Sequence, residues 1–350
     1  MPSHEDLVTR AEYHLHALDL ENGECEFLLI DKEAARKSTF MDIRLLSSGQ
    51  DTFRTSLELM EKHIASMPAS SKSRPINYIF HTAFCCSTLI SRCLDIQGIC
   101  YAMREPAVFM QMANYKRVGN PYFLDIQRQQ TLLNMVLYLL TKVSRQDETT
   151  LIKPTNAANN LVAEVIQNKR THGILLLYSS LEQFLVSIIK KGEEGRAFVR
   201  RLFNVIRMDS ERSSSLSLES LSQLTDLQMA AFVWYLQVDA YLKIIDKYPN
   251  ANIKTLDCDV FLSKPVNTLT KLCELFDMKI ERQHIENIIA GSVFSKYSKN
   301  SSQDYDASIR ESENRLIAAQ FRESIDGIIA WSGRIRPEGP VLLSLPQSLL

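Results

Sequence analysis

Apolar and polar positions along the chain fall into blocks whose period changes. Cys25–Ile30 and Phe40–Leu45 are predicted to be short strands, and Thr52–Ala65 carries apolar residues at helical spacing. The Ser/Lys/Pro-rich stretch Ala69–Pro75 interrupts the pattern and is predicted to be a linker. Beyond it, apolar runs of strand length alternate with longer amphipathic ones. Strands are predicted at Asn77–His81, Ile99–Met103, Thr150–Lys153 and Gly173–Tyr178, with helices at Ser87–Asp95, Tyr122–Val143, Ala158–Asn168 and Leu181–Lys191. Such alternation predicts a parallel sheet with right-handed crossovers, whose ligands gather at the carboxyl ends of the strands. His81, Arg104–Glu105, Lys153–Thr155 and Tyr178–Ser180 fall at those ends.

The remainder reads as largely helical. Leu221–Lys247 has a long apolar periodicity, Ile253–Phe261 reads as one more buried strand, and Ser263-Lys264-Pro265 opens a helix over Val266–Phe276. Phe109–Tyr122 reads as a connection, and Ser213–Ser222 as a mobile lid or disorder. The expected organisation is an N-terminal extension over 1–74, a main α/β domain over 75–300 and a helical tail over 301–350.

A chain of 350 residues with 45% hydrophobic content can bury a large core. With 40 Lys+Arg against 41 Asp+Glu there is no global basic field, so neither nucleic acid nor a membrane surface is an expected partner and any anion site must be local. The N-terminus lacks a basic and apolar leader, and no apolar span reaches the roughly 18 residues of a membrane helix. A soluble cytoplasmic protein without membrane insertion is expected. The seven cysteines include no Cys-x-x-Cys, so neither disulfides nor a structural zinc site nor any other metal is expected. Adjacent Cys85 and Cys86 have two readings: thiols activated at a helix start, or small residues that let the backbone curl around an anion.

The segment Ile76–Asp95 is the most informative. A β-prone run ends in a small-residue loop, Thr82–Cys86, which opens a helix at Ser87 and Thr88. Amides of a first helical turn lack intrahelical acceptors and sit at the positive end of the macrodipole, which suits phosphate or sulfate. No Gly-x-x-x-x-Gly-Lys-Ser/Thr is present, which disfavours a Walker-type nucleotidase.

The loop Phe84-Cys85-Cys86-Ser87-Thr88-Leu89, followed by Arg104-Glu105-Pro106, resembles the 5′-phosphosulfate loop of the P-loop sulfotransferase superfamily, in its bacterial branch. Further blocks follow in order: Thr150–Asn156, Gly173–Ser187 and Thr255–Met278. The resemblance spans about residues 76–300. It implies a P-loop-containing nucleoside triphosphate hydrolase-like three-layer fold with a central parallel sheet and a helical C-terminal part. It also implies sulfuryl transfer from 3′-phosphoadenosine 5′-phosphosulfate (PAPS) to a hydroxyl or amine of a small-molecule or glycan acceptor.

Under that resemblance, Cys85, Cys86, Ser87 and Thr88 cradle the donor. Lys153 supplies the cation, because Phe84 stands where better-known relatives carry the loop lysine. Glu105 is the expected base; burial would raise its pKa and neighbouring Arg104 would lower it, or simply pair with it. His81 is the alternative base. Ser187 matches the serine of the nucleotide 3′-phosphate block, while Ser179 stands where its arginine would be. Lys190, Lys191 and Arg196 are candidates to compensate, and Lys296, Ser298 and Lys299 match a basic loop over the donor. Two other readings stay open. One is a P-loop phosphotransferase that binds ATP with magnesium; the other is a catalytically degenerate binding module of the same fold.

Overall fold

Strands form where apolar runs can be buried on both faces, and the computed structural model shows this most clearly at the centre of the chain. It describes residues 2–49, 51–68, 74–142, 148–210, 217–297, 300–304, 307–335 and 344–350. The protein is α/β, with a five-stranded sheet in the order β5-β6-β4-β7-β8. These strands are Ile76–His81 (β4), Cys100–Arg104 (β5), Thr149–Lys153 (β6), Thr171–Tyr178 (β7) and Ile253–Asp257 (β8). The β4/β6 and β5/β6 ladders are parallel, and the second sets Arg104 opposite Lys153. Every residue of β4 and β5 is buried, as expected of strands covered on both faces.

The chain divides into two compact units. The first comprises Met1–Phe80, Ile90–Ile174 and Cys273–Glu281. It contains a second, antiparallel sheet of Tyr13–Asp19 (β1), Glu24–Leu29 (β2) and Thr52–Ser56 (β3), in that order. Leu15, Phe27, Tyr78, Tyr101 and Phe109 are among its fully buried side chains. Gly173 lies so close to the Leu275 carbonyl that a Cβ there would approach it to 2.7 Å, so the strand needs a glycine at that point.

The second unit comprises His81–Leu89, Leu175–Leu272 and Arg282–Leu350. Helices Leu181–Lys190, Gly192–Ile206 and Asp226–Lys247 pack on one another there, with Phe203 edge-on to Phe232 at 5.6 Å. Thr225 and Gln228 form a capping box that starts the longest of these helices. Among the described residues no helix is long and apolar enough to cross a membrane.

Several predicted elements are corrected by local capping chemistry. Phe40–Leu45 is not a strand: Asp42 accepts from the Arg44 N–H and starts a 3-10 helix at Ile43–Ser48. The helix predicted over Thr52–Ala65 begins only at Leu57, where Ser56 caps it, because 52–56 pairs with β2 as β3. The strand predicted to reach Phe261 stops at Asp257, whose carboxylate caps the helix Cys258–Ser263. The supposed connection after Phe109 is part of the helix Ala107–Arg117, and the next helix starts at Ile126, after the Asp125 cap. The helix over Ala158–Asn168 is instead a 3-10 turn, Asn156–Leu161, running into Val162–Gln167. Most of the predicted linker and the first part of Ser213–Ser222 lie outside the described residues; Leu218–Ser222 is helical.

Candidate functional site

In the second unit, the turn between His81 and the helix Ser87–Cys93 has an unusual backbone. Ala83, Phe84 and Cys86 all take left-handed φ, at 73°, 53° and 62°. Each such non-glycine residue costs about 1–2 kcal/mol, so neighbouring contacts must hold the turn. The Thr82 N–H donates to the Leu177 carbonyl at 3.1 Å, and the Ala83 N–H donates to His81 Nδ1 at 3.3 Å. The Cys85 thiol donates to the same Leu177 carbonyl at 3.8 Å. The Phe84 ring packs on Phe184 and Phe198, with centroids at 5.7 and 5.2 Å. Position 84 is therefore an aromatic anchor of the turn. Backbone N–H groups in turns that contain left-handed residues can line an anion-binding concavity.

Two hydroxyls sharpen this picture. Thr82 and Ser179 are fully buried, and neither Thr82 Oγ1 nor Ser179 Oγ has a hydrogen-bond partner among the described residues. An unsatisfied buried hydroxyl costs about 1–3 kcal/mol. Such groups in a native fold call for a reason, such as a ligand oxygen or a water. Ser179 follows the end of β7, and its carbonyl is fixed by the Trp234 indole N–H at 2.8 Å. The sequence signal for Trp234 was its place in an apolar helix, where a buried indole N–H must find an acceptor. Ser180 caps the helix Leu181–Lys190 by accepting from the Gln183 N–H.

The other predicted donor residues are distributed as follows. Ser87 and Thr88 open their helix and are buried. Cys85 is buried with its thiol on the Leu177 carbonyl, whereas Cys86 is half-buried. His81 is buried, and its Nδ1 braces the turn. The Ser187 hydroxyl donates to the Gln183 carbonyl at 2.8 Å. Lys190 pairs with Glu313, Lys191 with Glu194 and Arg196 with Glu193, all partly exposed. Lys296 lies in the short strand Lys296–Tyr297, while Ser298 and Lys299 are outside the described residues.

In the first unit, Glu105 and Lys153 form a pair. Lys153 Nζ meets Glu105 Oε1 at 2.6 Å, with the lysine side chain 0% and the glutamate 17% exposed. The Glu105 N–H donates to the Lys153 carbonyl at 2.6 Å, and Glu105 takes φ 55°. The Arg104–Glu105 pair considered from the sequence is not made. Arg104 turns instead to Asp95 at 3.0 Å and to the Ser38 carbonyl at 3.0 Å. A carboxylate and an ammonium held in contact can exchange or relay a proton. The pair also neutralises a lysine that would otherwise be buried as a lone charge.

No protein-family model matches the chain, and no curated protein does. Among solved structures, the chain is similar to the sulfotransferase domain from the curacin biosynthetic pathway, at 14% identity and a TM-score of 0.42, covering 71% of this chain and 98% of that one. It is also similar to sulfotransferase STF9 from Mycobacterium avium, at 11% identity and a TM-score of 0.41, covering 76% of this chain and 80% of that one.

Proposed function

We propose that the chain is a PAPS-dependent sulfotransferase acting on a hydroxyl or amine of a small-molecule or glycan acceptor. The observation that carries this reading is the left-handed turn over Ala83–Cys86, with the orphaned hydroxyls of Thr82 and Ser179 in the same unit. A sulfate or phosphate oxygen supplies the acceptors that those hydroxyls lack.

Transfer forms a bond from the acceptor oxygen or nitrogen to sulfur and breaks the bond from sulfur to the bridging oxygen. The acceptor proton goes to Glu105, and 3′,5′-adenosine bisphosphate leaves. Lys153 neutralises charge on the transferring group, a role for a cation in a water-poor site. His81 acts through the turn, as a positioning residue. The 3′-phosphate draws on Ser187, Lys190 and Arg196. The present ion pairs of Lys190 and Arg196 are partly exposed, and such pairs are worth only about 0–1 kcal/mol, so a phosphate competes with them readily.

One observation favours a second reading, a binding module without transfer: the Lys153 ammonium is already matched by Glu105. Calorimetry and a radiolabelled transfer assay separate the two. The enzyme binds 3′,5′-adenosine bisphosphate more tightly than AMP and transfers label from PAPS to a hydroxyl acceptor. A binding module shows the first property alone. Equal affinity for AMP, or magnesium-dependent ATP binding in its place, removes the donor assignment.

A further inference from the structure

We propose that Arg170, at the start of β7, anchors a binding site for a phosphate-class oxyanion at the end of the sheet opposite Glu105 and Lys153. The site is independent of the sulfotransferase reading, because its residues belong to the first unit and the left-handed turn to the second.

The strands set its position. The Ile76 N–H donates to the Arg170 carbonyl at 2.7 Å, which places Arg170 beside the first residue of β4, whereas Lys153 ends β6 and Glu105 follows β5. The Arg170 N–H donates to Asn168 Oδ1 at 3.0 Å, and Asn168 Nδ2 donates to Asn134 Oδ1 at 2.9 Å. The backbone that carries the guanidinium is therefore fixed.

The guanidinium itself is held but only partly satisfied. Its Nε donates to the Arg74 carbonyl at 3.0 Å and its Nη2 to the Thr141 hydroxyl at 2.7 Å, which in turn donates to the Leu137 carbonyl at 2.7 Å. Nη1 is buried and has no acceptor among the described residues. Arg170 is 8% exposed, and no carboxylate among those residues acts on it. A guanidinium cannot shed its proton, so a full charge stays in the interior without a counter-ion.

Two phenols complete the surroundings. Tyr78 stands two residues beyond Ile76 on β4, fully buried, and its hydroxyl has no hydrogen-bond partner among the described residues. Tyr138 lies one turn before Thr141 on the helix Ile126–Thr141. Burial raises the pKa of both phenols, and the Arg170 charge opposes that rise in each. An oxyanion on Nη1 gives these donors an acceptor and cancels the buried charge by charge-assisted hydrogen bonds.

Charge selects phosphate over carboxylate. The Arg74 guanidinium also bears on Arg170 and Tyr138, so two positive groups face the site. A phosphate ester carries about −1.5 to −2 at neutral pH, against a single charge on a carboxylate. Bound there, the anion ties the start of β7 to the end of the helix Ile126–Thr141, and the stability of the fold rises with phosphate concentration.

The test titrates inorganic phosphate into the full chain by calorimetry at constant ionic strength, with thermal unfolding alongside. The wild-type chain is expected to take up one equivalent that survives Thr82→Val combined with Ser179→Ala, which separates it from the turn. Arg170→Met weakens this uptake at least about tenfold, the loss of one charge-assisted hydrogen bond, and removes the accompanying rise in Tm. Acetate binds more weakly than phosphate. Selenate soaked into a crystal of the full chain gives an anomalous peak within hydrogen-bonding distance of Arg170 Nη1. Absence of uptake, uptake that Arg170→Met leaves unchanged, equal affinity for acetate, or a map without that peak overturns the proposal. Should Arg170→Met fail to fold, the selenate crystal carries the decision.

Discussion

Glu105 and Lys153 hold each other at two points, backbone N–H to carbonyl and carboxylate to ammonium, each at 2.6 Å. The parallel register that sets Arg104 opposite Lys153 brings Glu105 into reach, and the left-handed φ of Glu105 accompanies this double contact.

An asymmetry in stability follows from that pair. Lys153 is wholly buried while Glu105 keeps some contact with water, so removing the acid strands a charge more severely than removing the base. Breaking a buried pair from one side costs about 3–5 kcal/mol, and the partial exposure of Glu105 sets Lys153→Met toward the low end, with Glu105→Gln higher. The double variant regains part of the loss. Urea unfolding of the two single variants and the double variant checks this; equal losses would contradict the asymmetry, and simple additivity would contradict the pair itself.

The strained turn yields a contrast between neighbours. Ala83 takes φ 73° without a large side chain to anchor, so Ala83→Gly relieves about 1–2 kcal/mol of left-handed strain and forfeits about 0.4–1 kcal/mol of chain entropy. A net gain of up to about 1.6 kcal/mol is expected. Phe84→Gly removes the same strain but also the ring that packs on Phe184 and Phe198, and it destabilises. Thermal unfolding of the two variants, side by side, reads opposite signs if the turn has the conformation described.

Two bases in the first unit, buried His14 and half-buried Lys142, set opposite ends of a pH profile. Burial, with His16 and Lys142 nearby, pushes His14 down from 6.5 to about 3, and burial pushes Lys142 from 10.5 to about 7. In each case the unfolded chain binds a proton that the folded chain does not, so stability rises with pH across the interval. For Lys142 the penalty is absent above about 10.5 and complete below about 7. For His14 it is absent above about 6.5 and complete below about 3. Lys142→Met therefore raises the urea midpoint at pH 7 and flattens the profile on the alkaline side, while His14→Phe flattens it on the acid side. A profile unchanged by both substitutions would rule out these two groups as its cause.

The same burial explains what the sequence concealed. β4 and β5 were legible because both faces are covered, which leaves unbroken apolar runs. β1 was not, since His14 and His16 are buried within it and make a core strand look half polar. Phe40 and Met41 are buried as their apolar character suggests, yet the Asp42 cap turns the chain immediately afterwards. At the candidate site, the small residues of 82–88 were readable as a turn, but its three left-handed residues were not, because none is glycine. Glu105 and Lys153 were each picked out at a strand end. Their contact was hidden, since 48 residues separate them and only the strand register brings them together.

The orphaned hydroxyls allow the anion reading to be tested apart from catalysis. Without ligand, Thr82→Val and Ser179→Ala each remove a buried group that has no partner among the described residues, so stability is unchanged or rises by about 1 kcal/mol. With ligand, the wild-type chain gains stability by mass action, about 2.7 kcal/mol at a bisphosphate concentration of 100 times Kd. Both variants lose most of that gain if their oxygens meet the anion. Ser91→Ala is the control, because Ser91 Oγ is equally buried and has no partner among the described residues but lies within the helix beyond the turn. It matches the other two without ligand and keeps the full ligand-dependent gain. If all three variants respond to 3′,5′-adenosine bisphosphate as the wild type does, the hydroxyls of Thr82 and Ser179 are packing defects rather than anion contacts.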